Sequence, residues 1–207
     1  MLLMSSGTFL FNNNVDDYLP KPLSKSRIAY ITTAAKKVFD YGFVIRQKAG
    51  MDTLKLHYTE LDIANKSKDE IESVLQGFDI VFMEGGNAFY LLHVIRQTGF
   101  EAIIKRLLNQ GIVYMSSSAG TYVAGLSIEP ATWTERGFDR FGITDFTAMK
   151  LVPFAIKAHY TQEKHEIFKR NLKTFQLPIK VLSDEQALLV RGDTTTLLGN
   201  QEAIAIH

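Results

Sequence analysis

Short apolar runs of strand length alternate along this chain with stretches whose apolar residues recur every three or four positions. Residues 2–11 predict a first strand, ended by the polar FNNNVDD segment, and Pro20-Lys21-Pro22 marks a loop. Residues 27–33 (RIAYITT) are largely apolar and read as a strand buried on both faces. Residues 34–48 have helical composition, with Val38, Tyr41, Val44 and Ile45 placed for one face. Residues 53–60 alternate as a strand, and 69–75 form a short amphipathic helix started by Ser67-Lys68-Asp69-Glu70. Another buried strand, 79–83 (DIVFM), runs directly into Glu84-Gly85-Gly86-Asn87. Helices over 88–97 and 101–110 follow, the second closing at Gly111. Then comes GIVYMSSSAGTYVAG: a buried strand over 112–115, three serines, and a run of small residues opening a helix.

The pattern changes after Gly125. Residues 126–147 have little regular period and predict a long loop region over the site. Residues 151–160 (LVPFAIKAHY) read as a strand with one proline, and 162–175 as a charged amphipathic helix. Residues 180–206 read as short strands joined by turns at Gly192-Asp193 and Gly199-Asn200. The alternation predicts one α/β domain over 1–207, with a mainly parallel sheet, helices on both faces and antiparallel C-terminal strands. No repeat, linker or low-complexity segment interrupts it.

Composition narrows the function classes. An apolar fraction of 46% and a charged fraction of 22% are ordinary for a globular protein of 207 residues. A net charge of +1 implies no general attraction to nucleic acid or anionic membrane. The absence of cysteine excludes disulfides, thiolate metal sites and a cysteine nucleophile, and suits a reducing cytosol. The N-terminus lacks a basic start and a cleavage site, so it reads as a strand and not a signal peptide. No apolar run reaches the length of a membrane span, and the expected location is cytoplasmic.

Three stretches can carry chemistry. Ser118 stands where a serine nucleophile needs to be, on a tight strand-to-helix turn at a helix N-terminus. Ala119, Gly120, Ala124 and Gly125 let that helix pack close, although Ser116 occupies the position where G-x-S-x-G elbows have glycine. A Ser-rich loop or helix cap is the alternative reading. His159, at the C-terminal end of a predicted strand, is placed for a base. His57, His93 and His165 read as surface or groove residues, and His207 as a terminal one. The glycines of Glu84-Gly85-Gly86-Asn87 allow close backbone approach, and their N–H groups with that of Ala119 suit an oxyanion hole. Asn87 also suits a helix N-cap. Neither phosphate-loop fingerprint occurs, and no histidine pair has metal-ligand spacing.

FMEGGNAFYLL, YMSSSAGTYVAG and VPFAIKAHY, in that order, resemble the peptidase E family of serine peptidases, which also contains the cyanophycinases. The resemblance covers nearly the whole chain. It implies a fold like that of class I glutamine amidotransferases (flavodoxin-like), and a serine-type peptidase acting on short peptides, chiefly dipeptides with N-terminal Asp. The residues it implies are Ser118 as nucleophile, His159 as general base, Asp184 as the acid, Gly86 and Ala119 as oxyanion donors, and Asn87 in substrate binding. It implies no metal and no cofactor. The chain departs from the family where Ser116 replaces glycine and Ala158 replaces proline. Arg136, Arg140 and Lys157 are the candidates for holding a substrate carboxylate.

Asp184 and Glu185 both precede the apolar run 187–190; in an extended chain they point to opposite faces, so only one can reach His159. An α/β-hydrolase order would instead place the acid among Glu129, Glu135, Asp139 and Asp145. Two other functions remain open at this point: an esterase or amidase on a non-peptide acyl group, and an inactive homologue that binds peptides or metabolites. Oligomeric state is not legible.

Overall fold

A computed structural model describes residues 1–134, 139–199, 202–204 and 206. Five parallel strands form the heart of the main sheet: β1 (Leu2–Met4), β2 (Arg27–Ile31), β3 (His57–Leu61), β4 (Ile80–Met83) and β5 (Val113–Ser117). Two C-terminal strands, β8 (Gln186–Arg191) and β9 (Thr194–Gly199), extend it antiparallel, giving the order β3-β2-β4-β5-β1-β8-β9. The remaining strands, β6 (Ala155–Tyr160) and β7 (Ile179–Ser183), pair parallel in a sheet of their own. β7 thus departs from the expected antiparallel tail.

Alternation along each strand divides the core in two. Leu3, Ala29, Ile31, Val81, Met83 and Tyr114 face one cluster, covered by α3 (Lys68–Leu75), α4 (Ala88–Thr98), α5 (Phe100–Asn109) and α6 (Ala119–Ala124). Leu2, Met4, Ile28, Tyr30, Phe82 and Met115 face the other, covered by α1 (Phe9–Asn12) and α2 (Gly42–Thr53). The capping box of Ser67 and Glu70 starts α3 as its sequence predicts. A last helix, α7 (His165–Leu172), packs Phe168 against Trp133 of the long loop.

Several expected boundaries move. The strand over 2–11 stops at Met4, because the N–H groups of Phe9, Leu10 and Phe11 find acceptors at Ser6, Gly7 and Thr8 and wind the chain into α1. The helix over 34–48 is broken: Thr33–Lys37 is a 3₁₀ turn, and α2 begins only after Val38–Tyr41. α2 then runs to Thr53, which delays β3 to His57. β6 begins two residues beyond Pro153, and the helix over 162–175 shrinks to α7 behind a 3₁₀ turn. The described residues of the expected loop over 126–147 include a 3₁₀ turn at Glu129–Thr132. Glu135, Arg136, Asn200 and His207 lie outside the described residues.

Candidate active site

Parallel strands deliver their C-terminal ends to one edge of the sheet, and the candidate residues gather there. Ser118 follows β5 directly with φ 46° and ψ −107°, a conformation that costs a non-glycine residue energy. Its surroundings hold it. The Ser118 N–H donates to the carbonyls of Met4 at 3.3 Å and Ser5 at 3.1 Å, and its own carbonyl accepts from Thr121 and Tyr122 at 2.9 Å. Gly120 permits the turn to close, since a Cβ there would lie 2.3 Å from the Met83 carbonyl oxygen. Ser116 is tied inward: Thr121 Oγ1 donates to the Met4 carbonyl at 2.7 Å, which leaves Ser116 Oγ to donate to Thr121 Oγ1 at 2.8 Å.

His159 sits where β6 slips register against β7, with φ 62°. This bulge aims its ring. Nε2 lies 2.7 Å from Ser118 Oγ and Nδ1 lies 2.6 Å from Asp184 Oδ1. Asp184 and Glu185 occupy the turn between β7 and β8, so the extended-chain register argument does not apply to them. Sequence reasoning missed Ser5, which is fully buried just beyond β1. Its Oγ donates to Asp184 Oδ1 at 2.8 Å and accepts from the His159 N–H at 2.8 Å. Burial alone would raise the Asp184 pKa; the hydrogen bond and electrostatic attraction of His159, then the Ser5 bond, outweigh it and hold the carboxyl below its usual range.

The Gly85-Gly86 turn lies against the elbow, and a Cβ on Gly85 would come 3.0 Å from Ser118 Cβ. The Gly85 N–H is spent on Glu84 Oε1 at 2.6 Å and Ser117 Oγ at 3.1 Å. Gly86, at φ 137°, has room for no side chain: a Cβ would sit 2.4 Å from the Ala34 carbonyl. Its N–H and that of Ala119, first residue of α6, have no acceptor among the described residues.

The family model of peptidase family S51 matches residues 1–198. The chain belongs to that family. As an S51 member it is a serine-type peptidase, a hydrolase. It is 30% identical over 146 residues to an uncharacterized peptidase of Pasteurella multocida, covering 69% of this chain and 70% of the relative. Peptidase E of Shewanella denitrificans is 27% identical over 199 residues, covering 90% and 81%. A 1.5 Å crystal structure of a candidate Peptidase E from Listeria monocytogenes superposes with a TM-score of 0.84 at 26% identity, covering 96% of both chains.

The other candidates of this S51 peptidase lie elsewhere. Asn87 is 1% exposed; its Oδ1 caps the N–H groups of Phe89 and Tyr90, and its Nδ2 donates to the Asp139 carbonyl at 2.9 Å. That amide holds α4 and the long loop, in the N-cap role that the sequence also suits. His57 is exposed on β3, His93 stands near Phe141, and His165 Nδ1 pairs with Tyr160 OH at 3.0 Å. Asp145 is bound to Arg96 at 3.1 Å, and Asp139 accepts from the Phe141 N–H. Lys157, 1% exposed, reaches Tyr122 OH at 3.2 Å and Thr134 Oγ1 at 3.3 Å, while Arg140 lies over the Phe89 ring at 5.8 Å.

Proposed function

We propose that this S51 peptidase hydrolyses short peptides, chiefly dipeptides with N-terminal Asp, through a Ser118–His159–Asp184 triad. One observation carries the reading: an unbroken line of hydrogen-bonding contacts of 2.7 and 2.6 Å joins Ser118 Oγ, the imidazole and the Asp184 carboxylate. Ser118 Oγ attacks the scissile carbonyl while His159 Nε2 takes its proton. The carbonyl oxygen becomes an oxyanion held by the N–H groups of Gly86 and Ala119. Collapse expels the amine, which receives the proton from His159 and leaves an ester on Ser118. Water, deprotonated by His159, then frees the acid and restores the serine. Asp184 fixes the imidazole tautomer and offsets the charge that forms on the ring.

The preference for Asp follows from the family resemblance. Lys157 bonds to Tyr122 and Thr134, and Arg140 lies over Phe89, in the lining of a recess beside Ser118; these two cations supply the charge for that carboxylate. A peptide library with mass-spectrometric readout tests the proposal. Asp-initiated dipeptides should disappear faster than their Asn and Ala counterparts, and a folded Ser118→Ala variant should lose activity by at least about 10⁴-fold. Rapid turnover of simple esters with intact peptides would move the enzyme to esterase chemistry. Binding without turnover would leave a peptide-binding protein.

A further inference from the structure

Beside Ser118 and His159 opens a cavity of about 650 Å³ that the chemistry above leaves unfilled. Its far wall is built by α1, α2 and the segment before α2, with Phe11, Val38, Phe39 and Phe43 supplying apolar surface. Phe43 and Gln47 are one helical turn apart and share a face of α2. The Phe11 ring rests on that helix where Gly50 has no side chain, since a Cβ there would lie 2.4 Å from it. Phe39, at 92% exposure, leaves a whole ring uncovered.

Asp40 and Arg46 also line this side of the cavity, and Gln47 interrupts the apolar surface between them and Phe43. It is 4% exposed, and its Nε2 has no hydrogen-bond partner among the described residues. That nitrogen has almost no accessible surface of its own, so the amide seals the wall and offers no donor to the cavity. Gly7, also on the wall, keeps the amide in place: a Cβ there would lie 2.3 Å from Gln47 Oε1. The candidate cations belong to a different space. Phe89, Tyr122 and Thr134, the partners of Arg140 and Lys157, line a narrow recess that shares only Gly86, Ser118 and His159 with the large cavity.

We propose that the large cavity receives the residue on the leaving side of the scissile bond, and selects there a large apolar side chain, above all an aromatic one. This rests on the reading that an N-terminal Asp occupies the narrow recess. The preferred substrates are then Asp-Phe and Asp-Leu, with Asp-Gly poor.

The test is a series of Asp-Xaa dipeptides, measured as kcat/KM on the wild-type enzyme and as binding to Ser118→Ala. Filling an apolar pocket with several extra carbons should favour Asp-Phe over Asp-Gly by about tenfold or more in both measurements. Phe43→Ala should erase most of that ratio by weakening Asp-Phe turnover and binding far more than Asp-Ala. Equal binding and turnover across the second-residue series would overturn the proposal. So would an aromatic preference at the first residue instead of the second. Should Ser118→Ala show the ratio while the wild type cleaves nothing, the cavity assignment stands and the peptidase reading falls. If Ala-Phe and Ala-Gly show the same ratio with no advantage for Asp, only the N-terminal Asp reading falls.

Discussion

At the scale of single residues, the nucleophile is set apart by what confines it. Ser118 keeps a costly backbone conformation because β1 carbonyls, α6 N–H groups and a glycine contact with β4 each fix one side of it. Ser5 does the same for the acid, binding the Asp184 carboxylate and the His159 backbone with one hydroxyl. Asp184 is 55% exposed on its side chain, so its value lies in orientation more than in stability. If it holds the imidazole tautomer, Asp184→Asn should lower kcat by about 10² or more with KM little changed. Glu185→Gln, an exposed change with no bond to His159, should be nearly silent. Steady-state kinetics on the two variants checks this. The reverse pattern would hand the role to Glu185, and silence in both would return the acid to the long loop.

At the scale of elements, one carboxylate ties the cavity wall to the sheet. Glu60 of β3 accepts from Lys48 of α2 at 2.7 Å, from Tyr41 OH at 3.1 Å and from Thr32 Oγ1 at 3.0 Å. Burial would raise its pKa, but the bonds from Lys48 and Thr32 lead in lowering it to about 2. A depressed acid adds stability above its unfolded pKa and loses it as pH falls through the folded one. Glu60→Gln should therefore cost about 1–2 kcal/mol at pH 7, or roughly 2–8 °C in Tm. The difference should shrink between about pH 4.5 and 2, and thermal melts across that range read it directly.

What the sequence shows at this scale follows from how local each signal is. β2, β4 and β5 are continuous apolar runs and are plain to see. The break at Val38–Tyr41 is not, because composition there is as helical as in α2 itself. Ser118, His159 and Asp184 are visible through the motifs around them. Ser5 is not, since its partners lie 154 and 179 residues away and no local pattern marks them. Asn87 is half legible: its cap is local and plain, while the bond to the Asp139 carbonyl at its other end is not.

At the scale of the whole molecule, the titrating groups divide by sign. Glu60, Asp79, Asp145 and Asp184 all have lowered pKa values, so their contributions weaken in acid. Glu84 runs the other way. It is 3% exposed beneath the candidate site, bonded to Tyr30 OH at 2.5 Å, to the Gly85 N–H at 2.6 Å and to Ser117 Oγ. Burial raises its pKa against the pull of those three bonds. Between the ordinary glutamate value of about 4.3 and the higher folded value, the unfolded chain gives up this proton while the native protein keeps it. The unfolded state then binds fewer protons, and stability falls as pH rises through that interval. Glu84→Gln keeps a neutral hydrogen-bonding group of the same shape and removes the titration. Its Tm relative to wild type should therefore climb from pH 4 to pH 8, starting at or slightly below zero difference, with Ser118 chemistry retained. A variant uniformly less stable across that range would mean that Glu84 is ionised in the native protein and held by its three donors. A climbing difference would place the greatest stability of the wild-type fold in mildly acidic solution, where the exposed acids are already charged and Glu84 still carries its proton.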